Sequence, residues 1–89
     1  MMRTFVAIAE PSDDGKTWWI SFPSLPGITS AADGPTEIAV QARDALESAA
    51  AAGLELRGSV EEAGVPAFEL ADYKNPLMVL VPFEEPAFA

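Results

Sequence analysis

The side chains that could do chemistry are few and of one kind. Glu10, Asp13 and Asp14 gather around a single turn, Glu10-Pro11-Ser12-Asp13-Asp14-Gly15-Lys16. Carboxylates so grouped are the raw material of a divalent-cation site for phosphoryl transfer, which needs several acids converging on the metal ions. The next residues offer no help, since no acid occurs between Thr17 and Ala32. Three acids on one turn are more simply a solvated loop. The chain has no cysteine and no histidine, which removes disulfides, thiolate and imidazole ligands, and any Cys- or His-based nucleophile or base. The expectation is a protein with no catalytic residue, no metal site and no cofactor, hence not an enzyme.

Fourteen acidic residues against five basic ones give a net charge of −9, spread along the chain. Nucleic-acid affinity draws on cations that displace counterions from phosphates, so this surface repels DNA and RNA. A basic protein is attracted instead. With 89 residues the expectation is one domain over 1–89, near the lower end of sizes that fold unaided. Apolar residues make up 49% of so small a chain, enough to leave surface for another subunit. Arg3 is followed by only a short apolar run, unlike a signal peptide, and no apolar stretch reaches the ~20 residues of a spanning helix. A soluble, cytoplasmic protein is expected, with no membrane association.

Elements must position these residues, and the stretch Asp13 to Gly27 organises them. Thr17 to Phe22 is rich in aromatic and β-branched residues, which is strand chemistry. It ends in Pro23-Ser24-Leu25-Pro26-Gly27, where prolines remove donors and a glycine allows a sharp turn. Upstream, Arg3 to Ala9 reads as its hairpin partner across a short loop. Trp18, Ile20 and Phe22 share one face of the second strand, Trp19 and Ser21 the other. A third short strand is expected over Ile28 to Ala32.

Asp33-Gly34-Pro35-Thr36 is a helix start, with Pro35 suited to the first helical position. The helix is expected from about Pro35 to Ala52, with Ile38, Ala42, Ala45, Leu46 and Ala49 as its apolar stripe and Gly53 as terminator. Leu54 to Gly58 reads equally as helix tail or loop. Ser59 and Glu62 suit a capping box on a short helical turn. Residues 66–74 show no period. Leu77 to Phe83 is a nearly continuous apolar strand, which predicts burial on both faces. The order β-β-β-α-β implies an α+β fold, a small antiparallel sheet of three to four strands with one main helix on one face. The last strand returns beside the first.

Laid out in this way, the sequence resembles the HicB-type antitoxin domain. Three linked pieces carry the resemblance: the N-terminal strand and acidic turn from Phe5 to Gly15, the aromatic strand and loop Trp18-Trp19-Ile20-Ser21-Phe22-Pro23-Ser24-Leu25-Pro26-Gly27, and the helix opening Asp33-Gly34-Pro35-Thr36-Glu37-Ile38-Ala39. The resemblance implies a partial ribonuclease H-like fold. It also implies a protein-binding function, the steric occlusion of a small basic HicA-type ribonuclease toxin that cleaves mRNA. Many members continue into a DNA-binding module after the last strand. Here that module is expected to be lacking, and with it direct nucleic-acid binding.

Two other readings stand beside this one. The chain could be an orphan, self-associating structural or regulatory domain without a toxin partner, or a degenerate nuclease, the latter being the weaker. Under the leading reading the partner-binding residues are expected to be Glu10, Asp13, Asp14, Trp19 and Ser21, with Trp18 inside. A homo-oligomer, dimer or larger, is expected because the sheet carries tryptophans on both faces.

Overall fold

A computed structural model describes residues 2–84. Its four strands are β1 (Met2–Pro11), β2 (Trp18–Ser21), β3 (Thr29–Ala32) and β4 (Leu77–Glu84). They form one sheet in the order β3-β2-β1-β4, antiparallel throughout. The main helix, α1 (Ile38–Ala51), follows a single 3-10 turn over Pro35–Glu37, and a one-turn helix, α2 (Val60–Ala63), precedes β4. The fold is α+β, and the chain returns so that its last strand lies beside its first.

Strand alternation sorts the side chains into two faces. The inner face carries Phe5, Ala7, Ala9, Ile20, Phe22, Ala32, Val81 and Phe83, all buried against Ile38, Ala42, Leu46 and Ala49 of α1. Alanines on both sides of this contact bring the helix close to the sheet. The helix stops where the sequence predicts it to. Gly53 takes φ 86°, while Leu54 N–H donates to Ala49 O and Gly53 N–H to Ala50 O, the paired bonds of a Schellman cap. Leu54 to Gly58 resolves as loop, with Leu56 buried in the core.

Gly58 is required for a close approach. At φ 87° a Cβ there would lie 2.9 Å from Ser24 Cβ, so a side chain would strike the Pro23–Gly27 loop. This contact joins the returning chain to the loop that follows β2.

The outer face is partly covered by the chain's own connecting segment. β2 pairs with β1 only over Ile8–Pro11, so the first half of β1 has no strand on that side, and α2 lies there instead. Thr4 N–H donates to Glu61 Oε1 at 2.7 Å and its hydroxyl to Glu61 Oε2 at 2.8 Å. The carboxylate stands in for the missing ladder partner. At the other end of β1, Lys74 N–H donates to Glu10 Oε2 at 2.9 Å. The segment between these two ties runs the length of β1, and Val6 and Ile8 on the outer face are buried. Phe68 and Tyr73 meet edge to face within it, with ring centroids 6.2 Å apart.

One expectation fails on β4. Its continuous apolar run predicts burial on both faces, but only the inner residues Val81 and Phe83 are buried, and Val79 is half-buried. Met78 and Leu80 point outward and are 52% and 54% exposed. The reason is position: β4 is an edge strand, and the connecting segment ties down over β1 and stops short of it.

Candidate functional site

The hairpin loop is built from its own hydrogen bonds. Ser12 N–H donates to Thr17 O at 2.7 Å and Gly15 N–H to Ser12 O at 2.9 Å. Asp14 Oδ1 accepts from the Ser12 hydroxyl at 2.6 Å and from Lys16 N–H at 3.0 Å. Those two donors, the hydroxyl foremost, hold the Asp14 carboxyl below the ordinary aspartate range. Asp14 therefore works within the turn as an Asx-type staple.

Asp13 and Glu10 both meet Lys74. The Lys74 ammonium lies 3.0 Å from Asp13 Oδ1, and Glu10 accepts the Lys74 backbone N–H. The three acids of the turn thus have separate duties: two fasten the connecting segment and one closes the loop. Among the described residues no group of three or more acids is placed to hold a metal ion.

Trp19 and Ser21 lie where the alternation of β2 puts them, on the outer face. Trp19 is 56% exposed and pairs across the strands with Glu10 on one side and Ala31 on the other. Ser21 pairs with Ile8 and Thr29. Together Glu10, Trp19, Ser21, Thr29 and Ala31 line an open groove of about 530 Å³ across β1, β2 and β3. Trp18 turns inward against the core, half-buried, as its position in the strand predicts.

Of the five residues singled out in the sequence, Glu10, Trp19 and Ser21 are brought together at this groove, whereas Asp13 and Asp14 remain in the adjoining turn. Sequence reasoning missed Thr29 and Ala31 as its far wall, and Lys74 as the partner of both Glu10 and Asp13. The first two are legible once the register of β3 is known. The Lys74 contact joins residues 61 positions apart, and nothing local announces it.

The groove sits on a molecule most of whose cations are already occupied. Arg3 pairs with Glu62, Arg57 with Glu55 at 2.7 Å, Arg43 with Glu47 at 3.7 Å, and Lys74 with Asp13. The acidic excess is left to face solvent.

Compared with known proteins, the chain matches no family model, no curated protein and no solved structure. No helix among the described residues is long and apolar enough to cross a membrane.

Proposed function

We propose that the protein is a binding module of the antitoxin kind, which neutralises a small basic ribonuclease of the HicA type in the cytoplasm by covering its RNA-binding surface. One observation carries this reading: a tryptophan more than half exposed, standing over a groove beside a carboxylate, on a molecule of net charge −9. An exposed tryptophan is an interface anchor and also a platform for cationic side chains. Glu10 beside it offers a charged acceptor, and the acidic surface steers a basic partner toward contact. A ribonuclease must present cations to bind RNA, so the two surfaces are complementary in sign. Inhibition is by occlusion, and this chain contributes no chemical step.

The test is co-expression with a small basic ribonuclease of the HicA type, followed by titration of the purified pair. A stable complex that loses ribonuclease activity, and in which Trp19→Ala weakens affinity at least ten-fold, supports the proposal. A ribonuclease that stays active at saturating concentrations of the folded protein overturns it.

A further inference from the structure

We infer that the free edge of β4 is a self-association surface, on which a second copy of this chain pairs antiparallel about a two-fold axis through Val79. This rests on the strand geometry and is independent of the proposed function.

The hydrogen-bonding direction of β4 follows from one bond. Thr4 is the β1 partner of Pro82, yet its only N–H goes to Glu61. Thr4 and Pro82 are therefore a pair without ladder bonds, and by alternation so are Val6 with Leu80 and Ile8 with Met78. The N–H and C=O of Met78 and Leu80 consequently point away from β1, toward the open edge. The proline at 82 fits the same pattern, since its missing N–H falls on the side where no strand is present.

Between its two prolines this edge is unprotected. From Leu77 to Val81 there is no charged residue and no proline, whereas exposed edges are ordinarily blunted by lysine, proline, bulges or covering segments. The opposite edge is different: β3 is only four residues long and runs directly into Asp33, Gly34 and Pro35.

The occupant is specified by symmetry. Pro76 and Pro82 lie three positions to either side of Val79. A two-fold axis at Val79 sets Met78 against Leu80 of the second copy and Leu80 against its Met78. Both are outward-pointing positions, so each pair exchanges two ladder bonds. The same rotation sets Pro82 against Pro76, so pairing ends at both limits where no donor exists. Met78 and Leu80, half exposed on the outer face, come side by side with their counterparts. The two-fold pair thus fits the strand to itself over the five residues between its prolines, since an isologous contact places the same surface on both subunits.

Sedimentation of the full chain across 1–200 µM, with amide exchange of the same samples, tests this. The expected result is a concentration-dependent dimer in which the Met78 and Leu80 amides, unpartnered among the described residues of a protomer, exchange at least ten-fold more slowly than in the dilute monomer. Leu80→Pro removes an outward donor without touching a bond to β1. It is expected to give a folded monomer, whereas Ala31→Pro at the β3 edge leaves the dimer intact. A wild-type monomer at 200 µM overturns the inference, as does a dimer whose Met78 and Leu80 amides exchange at the monomer rate. Should Leu80→Pro fail to fold, the wild-type exchange pattern decides alone.

Discussion

Trp18 and Trp19 are adjacent, chemically identical, and have opposite duties because a strand alternates its faces. Trp18 packs against the inner core, and its indole N–H is buried without a partner among the described residues, a desolvation cost that offsets part of what the ring contributes by burial. Trp19 is largely in solvent and rests on its cross-strand neighbours Glu10 and Ala31. Trp19→Ala is therefore expected to change stability by no more than about 0.5 kcal/mol, the usual range for a surface position, in a urea titration followed by circular dichroism. A buried position on the opposite face behaves otherwise. Ala42 is wholly inaccessible between α1 and the sheet, and Ala42→Leu should cost roughly 1–3 kcal/mol by overpacking. Leu46→Ala, at the centre of the same stripe, should cost roughly 2–5 kcal/mol through the cavity it leaves. An Ala42→Leu protein as stable as the wild type would mean that α1 does not lie flush on the sheet.

At the scale of elements, β1 is the strand on which the rest depends, because it is buried on both faces and held at both ends from the same connecting segment. The tie at its start is acid-sensitive. Glu61 is exposed, but the Thr4 backbone N–H and then the Thr4 hydroxyl hold its carboxyl below the ordinary glutamate range. A depressed pKa means that the unfolded chain binds protons first as pH falls. The contribution of this tie is thus fully present above the ordinary glutamate pKa and fades as pH drops through the lowered value. The Thr4 amide should be less protected, relative to its intrinsic exchange rate at the same pH, in that acidic window than at neutral pH. Glu61→Gln keeps an acceptor and removes the titration, so its Thr4 protection should be weaker but flat with pH. Protection in the wild type that does not vary between pH 7 and pH 3 would contradict this. The tie also marks how far sequence reading reaches. Strands, α1, the Gly53 cap and the Ser59 cap of α2 are all local signals, and the last is present as half of a capping box: Ser59 Oγ accepts from Glu62 N–H, while the Glu62 carboxylate accepts from the Ser59 hydroxyl and from Arg3. The covering of Val6 and Ile8 depends on contacts between residues 57 and 64 positions apart, which no window of sequence contains. The misread burial of β4 has the same origin: an apolar run reports that a strand is apolar, and its rank in the sheet decides how much of it is covered.

For the molecule as a whole, one quantity links the two proposed contacts and separates them, namely the net charge of −9. Four of the five cations are spent in ion pairs within the chain, so the long-range field is that of an acidic body. A second copy carries the same field. Pairing along β4 is apolar and backbone-mediated at the contact, but each copy approaches against the repulsion of the other, and salt screens that repulsion within about 10 Å at 0.1 M. Self-association should consequently tighten as sodium chloride is raised from 20 to 300 mM. Capture of a basic ribonuclease at the Trp19 groove has the opposite sign, since screening weakens attraction and slows steered encounter. The two dependences can be measured on one preparation, by sedimentation for the homodimer and by titration for the complex. Homodimerisation that weakens with added salt would require ion pairs across the contact, which the charge-free strand from Leu77 to Phe83 does not supply. It would move the self-association surface away from β4. Ribonuclease binding that is indifferent to salt would leave the acidic surface without a role in recognition, and would reduce the contact to what Trp19 and the groove contribute by burial.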